Sequence, residues 1–189
     1  MIGYALCGSF CTHKRSLNVL RKLVENGWDV LPIASEISAG TDTRFGKSTD
    51  LLASLAEITG HSPILSIVNA EPLGPTHPLE ALVIAPCTGN TLAKIANGIT
   101  DTTVCMAAKA HMRTSRPLLI ALATNDAMCA NLENIAKLLS KKNVFFVPMM
   151  QDDPQNKPHS LVADFAQIPT ALSEMMNGNQ LRPLFISEN

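Results

Sequence analysis

The sequence predicts an α/β domain, doubly wound in three α/β/α layers around a mostly parallel sheet. Short apolar runs alternate along the chain with amphipathic segments of about a dozen residues, the pattern of β-α-β units. Two of the runs, Ala81 to Ala85 and Pro117 to Ala123, are apolar throughout, as strands covered on both faces are. Four of the runs end in small hydroxyl, amide or glycine residues just before the next helical segment, the usual grammar of a strand-to-helix turn.

Taken in order, Ile2 to Cys7 is a strand stopped by the turn signal Gly8-Ser9. Thr12 opens a helix with Leu17, Leu20, Leu23 and Val24 on one face, closed by Gly27. Trp28 to Ala34 is the second strand, followed by a polar loop through Gly40 to Gly46. Ser48 opens a second helix carrying Leu51, Leu52, Leu55 and Ile58, closed by Gly60. Pro63 to Val68 is an edge-strand candidate. Ala81 to Ala85 is the next strand, and Leu92, Ile95, Ala96 and Ile99 then recur at helical spacing. Thr102 to Arg113 is a helix, Pro117 to Ala123 a strand, Asp126 to Ser140 a helix and Val144 to Val147 the last strand. Residues 1–148 therefore form a flavodoxin-like domain. Residues 149–189 form an arm or flap, proline-punctuated to His159, with a terminal helix over Asp164 to Met176 packed on the same domain.

Composition excludes several classes of function. Fifteen basic residues oppose sixteen acidic ones and are scattered, so there is no basic stripe for nucleic acid. Aromatic residues are only 4% of the chain, too few for a base-stacking platform. The N-terminus reads as a strand rather than a signal peptide, and the apolar runs are too short for a bilayer. The expected setting is the cytoplasm. Cys7, Cys11, Cys87, Cys105 and Cys129 have no metal-ligand spacing and are expected as reduced thiols. His13, His61, His77, His111 and His159 are likewise expected as polar surface residues, with His159 or His111 preferred if one acts as a base. No metal is expected.

In an open α/β sheet, ligands lie beyond the carboxyl ends of the strands, at the point where strand order reverses. The residues found there are Gly8-Ser9, Ser35, Thr88-Gly89-Asn90-Thr91 and Thr124-Asn125-Asp126. Helix N-termini at that edge suit a phosphate, although each such residue is equally suited to capping its helix. Neither G-x-G-x-x-G nor G-x-x-x-x-G-K-[ST] is present, which argues against a dinucleotide or a nucleoside triphosphate.

From Ala85 to Asp101 the chain reads APCTGNTLAKIANGITD. It resembles the flavin-containing cysteine decarboxylase family, a flavoprotein family whose members carry P-x-[ST]-x-N-T followed by K-x-A-x-G-x-x-D. Leu122 to Met128, LATNDAM, is similar to the family's P-x-M-N-x-x-M. The resemblance runs from the first strand to about Pro148. Thr43 to Gly46, Ala70 to Pro75, Met106 to Ala110 and Gln151 to Pro154 resemble one branch of the family, whose members act beside a dehydrogenase-like partner on a ring dicarboxylate.

The resemblance implies FMN as cofactor, held by Gly8, Ser9, Ser35, Pro86, Thr88, Gly89, Asn90 and Thr91, with Ser9 and Ser35 on the phosphate. It implies Asn90 and Asn125 as the residues that approach the flavin ring and orient the substrate. A dicarboxylate needs cationic partners, and the candidates are Arg44, Lys109 and Arg113. A homo-oligomer, a trimer or a multiple of trimers, is also implied. The decarboxylases carry a His before the fourth strand. Pro72 stands near that place here and His77 follows about five residues later, so cysteine decarboxylation is not assigned. The readings left open are a flavin-dependent oxidoreductase component, a non-catalytic binding or stabilising component, and a decarboxylase with His77 as displaced base.

Overall fold

The structure, a computed structural model, describes residues 1–187; the last two residues of the 149–189 arm lie outside the described residues. Its strands are β1 (Ile2–Leu6), β2 (Val30–Ala34), β3 (Leu82–Cys87), β4 (Leu118–Thr124), β5 (Val144–Phe146), β6 (Met149–Met150) and β7 (Leu161–Ala163). Its helices are α1 (His13–Glu25), α2 (Glu36–Gly40), α3 (Ser48–Thr59), α4 (Ile67–Ala70), α5 (Gly89–Asn97), α6 (Thr103–Met112), α7 (Leu132–Leu139) and α8 (Ile168–Met176).

The parallel part of the sheet runs β2-β1-β3-β4, with β5 beside β4. After β2 the chain returns past β1 to lay down β3 on its other side, so the order reverses between β1 and β3. Alternate strand residues face opposite ways, and each set has its own core. Ala5, Ile84 and Ile120 pack under α5, α6 and α7 with Leu92, Val104 and Ile135. Tyr4, Val83 and Leu119 pack under α1, α3 and α8 with Leu20, Leu55 and Leu172. Every residue of β1 and β3 is buried, as expected of strands covered on both faces. Doubly wound α/β/α architecture is therefore observed.

Several local expectations are corrected. The region from 35 to 46 is not all loop, because Ser35 caps α2 by accepting from the Ser38 amide. Ser48 does not cap α3. It is the helix's first residue, and Asp42, six positions upstream, accepts from both its amide and its hydroxyl. The edge strand over Pro63 to Val68 reduces to one bridge, Ile33 to Ile64. Pro63 has no N–H to give, and Ser66 caps α4 two residues beyond Ile64. The helix expected from Asp126 begins only at Leu132.

The arm is a strand hairpin: β7 pairs antiparallel with the end of β4, at Ala123 and Thr124, and β6 pairs with β7. The tail returns beneath it, where Gln180 donates to the Phe146 carbonyl (2.7 Å) and accepts from its amide (2.9 Å). The side-chain amide thus completes the ladder beside β5. No helix of the described residues is long and apolar enough to cross a membrane.

Candidate functional site

Strand pairing places the ends of β2, β1, β3 and β4 side by side. At strand spacings near 4.8 Å the four ends span about 14 Å. Backbone hydrogen bonds tie the first three together, with the Ser35 amide donating to Leu6 and the Cys7 amide to Pro86. Ser9, Ser35, Thr88, Asn90, Thr124 and Asn125 are therefore brought to one edge. Ser35 is almost buried, and its hydroxyl donates to Ser38 Oγ (3.0 Å). Ser9, Thr88 and the exposed Asn90 and Asn125 face less confinement. At Gly8 a Cβ would lie 2.9 Å from Ile37 Cγ2, so the glycine lets α2 close onto the β1 turn.

The α5 end of the edge is the most elaborately built. The Thr88 hydroxyl accepts from the Thr91 amide and donates to Thr91 Oγ1 (3.1 Å), leaving the amides of Gly89 and Asn90 at the helix start without intrahelical partners. Gly89 sits against a polar knot. A Cβ there would come within 2.6 Å of Asn131 Nδ2 and Thr124 Oγ1, and 2.8 Å of Asp126 Oδ1. Asp126 accepts from Thr124 and, through both oxygens, from Asn131 at 3.0 Å. This knot winds residues 125–131 into turns and delays α7.

The second carboxylate near the edge is also committed. Glu36 Oε1 accepts from the amide (2.8 Å) and hydroxyl (2.7 Å) of Thr103, fastening α2 to the start of α6. Both acids have partners inside the protein, as do the Ser35, Thr88 and Thr124 hydroxyls, so the donors that face an anion arriving at the edge are the Ser9 hydroxyl and the helix-start amides of α5. That donor set fits the phosphate head of a flavin mononucleotide.

One histidine and three cysteines are interior and a second histidine, His13, is half-buried, against the expectation of surface histidines. His13 Nε2 bonds the Cys7 carbonyl (2.8 Å), and burial pulls its pKa below the usual imidazole value. His111 is fully buried, bonds the Pro117 carbonyl through Nε2 (2.9 Å), and is likewise lowered by burial. It braces the start of β4, at the opposite end of the sheet from the edge, and is no base for chemistry there. Burial pushes the Cys7 thiol up to about 12 and raises Cys87 and Cys105 as well, so these thiols stay protonated at neutral pH. Cys11 and Cys129 are exposed, and all five are free.

The cationic candidates are not brought to the edge together. Lys109 and Arg113 lie toward the far end of α6, where Ala110 abuts Gly74 and His111 reaches Pro117. They border a separate pocket of about 280 Å3 with Ile95, Ile99 and Cys105. Within one chain, that position separates them from Asn90 and Asn125. Arg44 is exposed on the loop before α3, its guanidinium 4.8 Å from the Phe45 ring centre.

Sequence reasoning misses Glu36, Ser38 and Asn131, and places Asp126 at the edge without its partners. Ser38 is legible in principle, since S-x-x-S after a strand is a capping pattern. Asp126 and Asn131 carry no such sign of their pairing, because only the turn geometry brings them together.

The chain matches the family model described as Flavoprotein over residues 1–172. It is 42% identical over 185 residues to the B subunit of dipicolinate synthase of Bacillus subtilis (strain 168), covering 98% of this chain and 92% of that protein. Against the crystal structure of the dipicolinate synthase B subunit from Bacillus halodurans C, the TM-score is 0.91 at 40% identity, covering 100% of this chain and 96% of that one. The FMN-dependent cysteine decarboxylase SpaF shares the fold, with TM-score 0.66 at 23% identity over 92% of this chain and 95% of that one.

Proposed function

Because the chain belongs to the flavoprotein family, we propose that it is the FMN-binding B subunit of a dipicolinate synthase, an oxidoreductase of sporulation. In this reading it works in the cytoplasm with the A subunit of dipicolinate synthase on a dihydro- or hydroxytetrahydrodipicolinate precursor. The reading draws on the 42% identity to a named B subunit, and the observation that carries it is the donor set of the carboxyl edge with both neighbouring carboxylates occupied.

Ser9 and Ser35, with the turn at Gly8, would hold the phosphate. Pro86, Thr88, Gly89, Asn90 and Thr91 would form the wall beside the ring, and Asn90 and Asn125 would orient the substrate through neutral hydrogen bonds. When bound, FMN supplies a hydride acceptor for aromatising the ring. The protein's own contribution is binding and orientation. Association into trimers or multiples of trimers belongs to the same reading.

The test is direct. Purified protein should be yellow, and the flavin band should bleach when the precursor is added anaerobically with the A subunit. A colourless protein that takes up no FMN sinks the reading.

One observation favours a second reading, a protein that binds the ring compound and stabilises its partner without redox chemistry. Among the described residues the acids and the base built into the edge are engaged, His13 with the Cys7 carbonyl, Glu36 with Thr103 and Asp126 with Thr124 and Asn131. The exposed His159 stands beside the edge on the β6–β7 turn, its carbonyl accepting from the Met128 amide. Bound flavin that never bleaches would favour it. Decarboxylation is not proposed, since Pro72 stands in a tight turn near the place where the resemblance puts a His, and His77 is tied to that turn by its amide, which donates to the Pro72 carbonyl.

A further inference from the structure

A second cavity, besides the pocket bordered by Lys109 and Arg113, lies outside the edge just described. It sits between α1 and α3, walled by the 41–47 loop, and measures about 330 Å3. That is the small end of the roughly 300–1,000 Å3 range of ligand pockets. Phe10, Leu17 and Leu51 give it an apolar floor. Lys14, Arg21 and Lys47 line it with positive charge, and Asp50 is the only carboxylate in its lining. Among the described residues none of the three cations makes a salt bridge. Arg21 reaches only Asn18 Oδ1, a neutral acceptor, at 3.3 Å. The cavity is contiguous with the cofactor edge through Phe10, next to Ser9, and Ser38, which caps with Ser35.

We propose that this cavity is the binding site for the ring dicarboxylate, with Arg21, Lys14 and Lys47 as its anchors. The excess of cations over carboxylates in the lining matches a dianion. Arginine can grip one carboxylate through two parallel bonds while lysine neutralises the other as a point charge. The apolar contacts of Phe10, Leu17 and Leu51 suit a flat ring, and the hydroxyls of Ser38 and Thr41 suit its polar substituents. This assignment moves the cationic role away from Arg44, Lys109 and Arg113, none of which lines the cavity. It rests on the proposed function only for the identity of the ligand. The cavity lining carries three exposed cations against one carboxylate whether or not flavin is bound.

Calorimetric titration of the full chain with pyridine-2,6-dicarboxylate, in metal-free buffer at neutral pH, tests this. Saturable one-to-one binding is expected, weakened about tenfold or more in Arg21→Gln and in Lys47→Gln, as loss of a charge-assisted contact implies. Pyridine-2-carboxylate should bind about tenfold more weakly than the dicarboxylate, and Lys141→Gln, on the exposed surface beyond α7, should bind it as the parent does. FMN titrated into the same variants should bind with unchanged affinity. Thermal midpoints measured alongside show that each variant is folded.

Absence of saturable dicarboxylate binding, or binding that both substitutions leave untouched, overturns the assignment. Loss of FMN affinity in Arg21→Gln and Lys47→Gln would also overturn it, by giving the cavity to the cofactor's phosphate. Dicarboxylate binding that depends on Arg21 in a protein unable to bind FMN would remove the flavin reading and leave the cavity assignment standing.

Discussion

At the scale of single residues, Gly89 and His111 make the sharpest demands. Gly89→Ala would drive a methyl group into Thr124, Asn131 and Asp126. The expected cost is about 1–3 kcal/mol, typical of overpacking, read as a lowered thermal midpoint together with weaker FMN retention. His111 sets a pH dependence. Its folded pKa lies below the ordinary 6.5 because burial disfavours the cation, so below that value the unfolded chain binds more protons than the folded one. The stability it contributes is complete above pH 6.5 and declines as pH falls from there toward the depressed folded value. Denaturant midpoints measured from pH 7.5 down to 5 should fall, and His111→Gln should flatten part of the fall; the remainder belongs to His13, shifted in the same direction. The thiols divide just as plainly. A thiol reagent should modify Cys11 and Cys129 in the native protein, and reach Cys7, Cys87 and Cys105 only after unfolding.

At the scale of elements, the fold depends on short, locally capped pieces. Thr88→Ala removes the hydroxyl that caps α5 and should cost about 1 kcal/mol, as N-cap losses do, measurable by urea denaturation. What is legible in the sequence follows the same division. β1, β3 and β4 are readable because each is a continuous apolar run, and α1 and α3 because their leucines repeat at helical spacing. The resemblance at Ala85 to Asp101 points to the α5 corner without any coordinates. Short pieces without an apolar run or helical repeat are not readable. β6 is two methionines with no alternation to betray a strand, and α2 is a single capped turn. The late start of α7 is hidden because Asp126 finds its partners only once residues 125–131 have coiled. The burial of His111 is hidden for another reason: it sits in MAAKAHM, where alanines on every side of α6 leave no polar face to read.

At the scale of the whole molecule, two independent cores hold one sheet, and the residues proposed for the cofactor all sit where the sheet stops. The hairpin β6–β7 belongs to this scale because it is the only antiparallel part among the described strands. Ending the chain after Pro148 would bare the β4 edge at Ala123 and Thr124 and remove Phe165, Leu172 and Met175 from one core. Such a truncation should be recovered insoluble, judged by the soluble fraction on expression. The hairpin also acts as a stop at one end of the row. Its turn stands beside β4, where the Met128 amide donates to the His159 carbonyl, so anything lying along the strand ends has room to extend only in the other direction, past β1 toward β2. In the proposed reading, traffic to and from this protein is thereby one-sided: a long cofactor and a small acid would come in from the same flank, and the order in which they arrive becomes a matter of mechanism.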